Sequence, residues 1–171
     1  IVDHGRGIEF DYGFGVHVCH LYPKSQGYIG LRSNNPTDHP DIQPNYLSHE
    51  DDLWALVDGV KLAMRILSSN AFSSYSPSPW QPVDDVTNMS DEQIIAFIRA
   101  HAQTVYHPVG TCRMGQIDDP NAVVDPNCNV KYIDRLRVVD ASVMPSIIGG
   151  NTNAPTIMIA EKIAQHIIAS F

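Results

Sequence analysis

The residues best suited to chemistry lie in two short polar turns. The first spans residues 107–115, His-Pro-Val-Gly-Thr-Cys-Arg-Met-Gly, and the second spans residues 149–156, Gly-Gly-Asn-Thr-Asn-Ala-Pro-Thr. An imidazole such as that of His107 exchanges protons near neutral pH, and the amide of Asn151 donates hydrogen bonds without titrating. Both residues also suit structural roles, since histidine is favoured at helix C-termini and asparagine in turns and caps. The pattern alone leaves both interpretations open.

Motif searches exclude several common kinds of site. The sequence contains no GxGxxG, GxxxxGK(S/T), HExxH or GxSxG pattern. It therefore lacks the signatures of a dinucleotide site, a P-loop, a zinc protease and a hydrolase nucleophile. His17 and His20 lie three residues apart in a predicted strand, so they point to opposite faces, which is poor geometry for shared metal binding. We expect no metal site.

Composition and charge narrow the class of protein. The chain has 171 residues, 43% of them hydrophobic and 18% charged, as in a soluble globular domain. A net charge of −8 argues against nucleic acid or an anionic membrane as partner. No apolar run approaches the roughly 20 residues of a transmembrane helix. Three widely spaced cysteines without a CxxC pattern predict reduced thiols. Neither an initiator Met nor a signal peptide is visible, which predicts a chain cut from a longer one.

The first half of the chain is predicted to hold strands and one helix. β-prone residues over 14–31, interrupted by a turn at 23–27, predict a pair of adjacent strands. Residues 33–44 are polar and marked by prolines, which predicts a loop. A helix is expected from Ser48, as N-cap, to residues 68–70. Its predicted apolar face consists of Leu53, Leu56, Val57, Val60, Met64 and Leu67.

A second helix is expected to lead directly to His107. It begins at Ser90, where Gln93 completes a capping box, and Pro108 is expected to stop it. His107 would then lie where a helix gives way to a loop, which is a common location for a catalytic group. The predicted apolar face of this helix consists of Ile94, Phe97, Ile98, Ala102 and Val105.

The C-terminal part predicts a strand, a loop and a final helix. Short β segments are expected at 123–124 and 130, and a buried strand at 136–139. The last helix is expected at 156–169, with Pro155 near its first turn. This strand and helix have no parallel partner strand in the chain, which suggests that they complete a sheet formed by another segment. The predicted buried stripe of the helix consists of Ile157, Ala160, Ile163, Ala164, Ile167 and Ile168.

Both polar turns resemble the C-terminal signature of the glucose-methanol-choline (GMC) oxidoreductase family. The resemblance includes the segment between them, Leu136–Pro145, with the sequence LRVVDASVMP. It extends upstream through Gly27–Ser33 and Pro44–Leu47, and covers roughly residues 13 to 169. The second turn is most similar to the alcohol and choline dehydrogenase branch of the family.

The resemblance implies an FAD-dependent enzyme. In this family the histidine that matches His107 faces the flavin and handles the alcohol proton, and the residue that matches Asn151 lies beside it. Hydride passes from the alcohol carbon to flavin N5. The resemblance also implies a set of residues that contact FAD: Asp140, Ala141, Asn153, Pro155 and Thr156.

The implied fold is α+β. An antiparallel substrate-domain sheet carries helices on one side, and a C-terminal β-α unit completes the FAD-binding domain. Residues 1–135 would be the substrate-binding portion with the catalytic His loop, and residues 136–171 would belong to the FAD-binding domain. Because the dinucleotide fingerprint is absent from the sequence, we expect the isolated chain to bind FAD poorly and to be inactive. Its exposed sheet edge predicts self-association.

The resemblance also implies partners and a location. The substrate would be a primary alcohol, from aliphatic alcohols to choline, and a quinone or another carrier is favoured over oxygen as electron acceptor. The protein would be cytoplasmic or peripheral to the inner membrane. Two alternatives belong to other functional classes. One is a relative that cleaves hydroxynitriles, and the other is a non-catalytic structural or interaction module whose polar residues only cap turns.

Overall fold

The computed structural model describes residues 13–76, 78 and 88–170, and these residues contain three α-helices and one small sheet. The fold is α+β, as predicted. Within the same residues, no helix is both long and apolar enough to cross a membrane. In chain order the elements are β1 (Tyr28–Gly30), β2 (Asp41–Gln43), α1 (Glu50–Leu67), a 3₁₀ helix (Asn70–Tyr75), α2 (Asp91–His101), a second 3₁₀ helix (Ala141–Val143) and α3 (Asn153–Ile168).

The sheet consists of β1 and β2, which pair antiparallel over all three residues of each strand. The predicted strand pair within 14–31 is therefore wrong, because β1 finds its partner downstream. The predicted loop at 33–44 is wrong at its end, where β2 lies. Among the described residues of the predicted first strand, Phe14 packs through its side chain instead and stacks on Phe72 with ring centroids 4.9 Å apart. Such packing needs no strand ladder, so β propensity alone misplaced these residues.

The chain divides into two compact units. Of the described residues, those up to Cys19 and those from Leu53 to His101 form one unit. His20–Asp52 and the described residues from Ala102 onward form the other. Both polar turns therefore lie in the second unit, which we call the site unit.

Helix α1 follows its predicted bounds closely. Three acidic residues occupy its first turn, where the positive end of the helix dipole stabilises their negative charges. The backbone N–H of Asp51 donates to His49 Nδ1 at 3.2 Å, so His49 takes the capping position that was predicted for Ser48. Leu53 and Val57 from the predicted apolar face are buried, at 6% and 0% exposure.

Helix α2 begins as predicted and ends early. The Ser90 N–H donates to Gln93 Oε1 at 2.8 Å and the Gln93 N–H donates to Ser90 Oγ at 3.4 Å, which confirms the capping box. The helix stops at His101, so the expected continuation to His107 is wrong. Val105 is 51% exposed, and Tyr106 has a φ of 63°, which a right-handed helix does not allow.

The core of the site unit forms around irregular backbone. Val124, Cys128, Val143 and Ile163 make one buried cluster. Residues 136–139 were predicted to be a buried strand, but the structure gives them a single antiparallel bridge, Asn129 to Arg137. The backbone bonds Val130 N to Leu136 O, at 2.9 Å, and Val138 N to Cys128 O, at 3.1 Å, tie this segment to the chain just before it. Partly buried side chains complete the cluster: Met114, Val130, Val138, Val139, Ile159 and Ile167.

Helix α3 starts three residues before its predicted bound, and Pro155 lies in its first turn as expected. The predicted buried stripe is only partly correct. Ile163 is buried at 5% exposure, but Ile157 and Ile168 are 54% and 74% exposed. The line that contacts the core is Ile159, Ile163 and Ile167, spaced four residues apart on one face of the helix.

Candidate active site

The loop that carries His107 is fixed at its far end rather than by a helix. The Cys112 N–H donates to Ser142 O at 3.0 Å, and the Met114 N–H donates to Val143 O at 2.8 Å. Gly110 has φ +89°, a left-handed conformation that side-chain-bearing residues rarely adopt. His107 itself is half-buried and lies six residues beyond the end of α2. The loop therefore depends on the second 3₁₀ helix for its position.

A charged cluster supports the same loop from its other side. The Arg113 guanidinium pairs with Asp119, and Lys131 Nζ donates to Asp119 O at 2.6 Å. The backbone N–H of Asn121 and the Arg113 side chain together hold the pKa of Asp119 below its usual range. The Val123 N–H donates to Arg113 O at 2.9 Å. These bonds hold the loop against the core of the site unit.

Asp140 and Ala141 lie where the His107 loop is tied down. The Asp140 carboxylate accepts hydrogen bonds from the backbone N–H and the hydroxyl of Ser142, and so caps the second 3₁₀ helix. This helix contains Ala141, which is half-buried, and Val143, which is fully buried in the core cluster. One Asp140 oxygen is therefore committed to the turn that supports the loop.

The second polar turn leads into the N-terminus of α3. Asn151 is exposed, and Thr152 occupies the N-cap position without a side-chain hydrogen bond to the helix. No acidic residue lies in the first turn, in contrast to α1 and α2. The Thr156 hydroxyl donates back to Thr152 O at 2.7 Å. The first N–H groups of α3 are thus left without a side-chain cap, and they suit a carbonyl or anionic acceptor.

The structure connects the two turns through the chain between them. Cys112 and Met114 bond to the 3₁₀ helix, and the 3₁₀ helix and α3 share the core cluster through Val143 and Ile163. Among the described residues, the side chains of His107 and Asn151 share no hydrogen bond. No group of three metal-ligating side chains occurs in the part of the chain that the structure describes.

The sequence pattern did not single out Tyr22, which lies against the second turn, or Asp52, which holds the segment next to Tyr22. The ring of Tyr22 lies against Gly149, so that a Cβ on this glycine would come within 2.6 Å of Tyr22 Cζ. The adjacent glycines 149 and 150 were the available signal, because glycine often marks a close approach. Asp52, only 3% exposed, fixes the segment around Tyr22 by accepting from the backbone N–H groups of Lys24 and Ser25, at 2.8 Å each.

The same carboxylate has a strongly shifted pKa. Burial alone would raise the pKa of Asp52, but its hydrogen bonds from Lys24 and Ser25 outweigh burial. His20, whose Nε2 lies 3.3 Å from Asp52 Oδ1, acts in the same direction. The result is a pKa of about 2, against an ordinary 3.8. Asp52 is thus ionised over the whole physiological range.

Comparison with known proteins identifies the family. The profile described as GMC oxidoreductase matches residues 23–160. The chain belongs to this family. It is 49% identical over 166 residues to the alcohol dehydrogenase (acceptor) of Pseudomonas putida, which covers 97% of this chain and 29% of that protein. It is 48% identical over 165 residues to the mitochondrial choline dehydrogenase of Homo sapiens, covering 96% of this chain and 27% of that protein.

Solved structures of larger proteins contain the same fold. An FAD-dependent oxidoreductase from Chaetomium thermophilum matches with a TM-score of 0.81 and 27% identity, over 88% of this chain and 26% of that one. Pyridoxine 4-oxidase from Mesorbium loti matches with a TM-score of 0.72 and 29% identity, over 85% of this chain and 28% of that one. This GMC chain therefore spans less than a third of the length of these relatives.

Proposed function

We propose that this GMC chain is the C-terminal part of an FAD-dependent oxidoreductase that oxidises the CH–OH group of primary alcohols. The substrate would be an aliphatic alcohol or a choline-like alcohol. The names of the two relatives with 48–49% identity support this class. The observation that carries the proposal is the backbone bonding of the His107 loop to the 3₁₀ helix that precedes the open N-terminus of α3. These bonds fix the His107 loop to the segment that leads into the second polar turn.

The residues at the start of α3 fit a flavin cofactor. The first turn has no acidic residue and no side-chain cap, so its N–H groups suit the electron-rich carbonyl edge of a reduced flavin. Asn153, Pro155 and Thr156 would lie along that edge, and Asp140 and Ala141 would hold another part of FAD. When bound, FAD supplies the hydride acceptor, its N5 atom.

The chain's own residues would handle the proton and the oxygen of the alcohol. His107 would accept the hydroxyl proton, since an imidazole does so near neutral pH. Asn151 would donate its amide N–H to the alcohol oxygen as negative charge develops there, without changing its own protonation. The exposure of Asn151 and the partial exposure of His107 leave both side chains accessible to a substrate.

The proposal extends to the organisation of the full-length enzyme. Residues 1–135 would form part of the substrate-binding portion, and residues 136–171 would complete the FAD-binding domain. The electron acceptor would be a quinone or another carrier rather than oxygen, in a cytoplasmic or membrane-peripheral protein. The isolated 171-residue chain would neither retain FAD nor turn over alcohol, because it lacks a dinucleotide fingerprint.

A flavin difference spectrum with alcohol-dependent bleaching tests this function. We expect the full-length enzyme to bind FAD and to be bleached by a primary alcohol, and the 171-residue chain to bind none. His107→Ala should keep FAD but lower kcat by roughly 10²–10⁴-fold, the usual contribution of a general base. His39→Ala, which changes an exposed loop histidine, is the matched control and should be silent.

Three results would contradict the proposal in different ways. A full-length protein without flavin would favour the structural module. Bound FAD that alcohol never bleaches would favour the lyase-like alternative. Normal turnover by His107→Ala would remove His107 from the reaction.

A further inference from the structure

The turn that presents Asn151 is weakly fixed by its own backbone. Among the described residues, the backbone bond within the turn joins Gly150 N to Ile148 O at 2.9 Å. Its two ends are firmly held, by the 3₁₀ helix on one side and by α3 on the other, since both reach the core cluster. The middle of the turn needs another support if Asn151 is to keep one position.

We propose that Tyr22 is that support, a positioning residue whose ring holds the turn and thereby orients the Asn151 amide. The proposal rests on the function proposed above for Asn151. A Cβ on Gly149 would lie 2.6 Å from Tyr22 Cζ and 3.2 Å from Cε1, with the hydroxyl oxygen closer still. The hydroxyl end of the Tyr22 side chain therefore lies against the backbone of residue 149.

A side chain at position 149 would displace Tyr22, whereas the backbone conformation there does not itself demand glycine. Gly149 does not have the positive φ that would itself demand a glycine, unlike Gly110. The neighbouring Gly150 has open space, since a Cβ there would meet nothing nearer than Ile148 Cδ1 at 4.0 Å. The difference between these two adjacent glycines is the Tyr22 ring.

Tyr22 is itself held in place by the segment around it. Asp52 fixes Lys24 and Ser25 through their backbone N–H groups, and it contacts His20 at 3.3 Å. Pro23 follows Tyr22 and restricts the tyrosine backbone to extended conformations. The ring is 67% exposed, so it contributes little to the core, and its loss should affect the turn more than the fold.

A double-mutant cycle in the full-length holoenzyme tests the proposal. Gly149→Ala should push the movable ring off the turn and so reproduce the defect of Tyr22→Ala. We expect each variant to lose roughly 10-fold in kcat, because a misplaced group costs rate even when binding persists. The double variant should also lose roughly 10-fold, not the roughly 100-fold of independent effects.

The pattern of kinetic constants separates positioning from a structural defect. KM for the alcohol and FAD occupancy should stay at wild-type values in all three variants, whereas damage to the fold would lower FAD occupancy. Tyr22→Phe keeps the ring but removes the hydroxyl oxygen, the atom nearest to position 149, so its kcat should lie between those of the wild type and Tyr22→Ala. Additive losses in the double variant, or a Tyr22→Ala enzyme with the wild-type kcat, would overturn the proposal.

A spectroscopic measurement tests the contact without activity. With 3-fluorotyrosine at position 22, the ¹⁹F resonance should shift in Gly149→Ala and stay unchanged in the matched Gly150→Ala. An unshifted resonance in Gly149→Ala would overturn the contact and the proposal. If the resonance shifts but the unmodified enzyme has no alcohol turnover, the function proposed above fails and the catalytic purpose of the contact fails with it. Normal turnover with additive losses refutes the role of Tyr22 alone.

Discussion

Asp52 combines near-complete burial with a full negative charge. Its oxygens accept from two backbone N–H groups and from the Ser25 hydroxyl, and His20 lies 3.3 Å away. Buried carboxylates survive in folded proteins when such donors replace water. These bonds attach the segment from Lys24 to Ser25 to the start of α1, and the same donors keep the pKa of Asp52 low.

The low pKa of Asp52 predicts how stability changes with pH. The pKa is about 2 in the fold and 3.8 ordinarily, so ionised Asp52 stabilises the fold above about pH 4. This contribution, on the order of 2 kcal/mol, should disappear as pH falls from about 4 to 2. Asp52→Asn should lower the free energy of unfolding in urea by a similar amount at pH 7, by about half of that amount near pH 3, and by little near pH 2.

The control for this experiment lies on the same helix. Asp58 is exposed on α1, and Asp58→Asn should change the free energy of unfolding by less than about 0.5 kcal/mol. If Asp52→Asn were equally costly at all three pH values, the loss would come from side-chain packing and not from the buried charge.

At the scale of elements, features that depend on neighbouring residues could be predicted, whereas features that depend on contacts between distant residues could not. The Ser90–Gln93 capping box and the bounds of α1 follow from neighbouring residues, and the structure confirms them. The end of α2 could not be predicted from Pro108, because a proline sets only the last point at which a helix can stop. The earlier end depends on whether Val105 finds an apolar partner, which is a tertiary property.

The candidate site, too, could be predicted where it depends on local sequence and could not where it depends on tertiary contacts. Both polar turns could be found from residue types and from the family resemblance. The strand predicted at 136–139 failed because its apolar side chains pack into a core of irregular backbone rather than into a ladder. The contact between Tyr22 and Gly149 joins residues far apart in sequence, and no local pattern encodes it.

The face of α3 that packs against the core, which includes Ile163, gives a prediction about stability. Ile163→Ala removes a side chain from the core cluster and should cost about 2–5 kcal/mol in the free energy of unfolding. Ile157→Ala makes the same chemical change on the same helix at a position that is 54% exposed, and should cost less than about 1 kcal/mol. Urea unfolding of the 171-residue chain measures both. Equal losses would mean that Ile157 is buried, as the sequence pattern predicted.

At the scale of the whole molecule, the two strands of the sheet and the residue after β1 expose large apolar side chains. Ile29 and Ile42 face each other across the two strands and are 53% and 57% exposed, and Leu31 is 89% exposed. Among the described residues, each strand has only one partner. Open strand edges and exposed apolar patches both favour association. The net charge of −8 opposes it by repulsion between chains.

These opposing forces predict association that depends on concentration and salt. In sedimentation equilibrium, the average mass of the 171-residue chain should rise above 18.9 kDa with concentration. It should rise further with added salt, since screening weakens charge repulsion but leaves apolar attraction. The triple variant Ile29→Thr, Leu31→Thr and Ile42→Thr keeps β propensity but removes apolar surface. Its average mass should fall towards that of the monomer. The control carries Ile117→Thr and Ile133→Thr at two residues that are exposed at 60% and 54% and belong to neither strand. If the control weakens association as strongly, or if the unmodified chain stays monomeric at every concentration and salt, the sheet is not the associating surface.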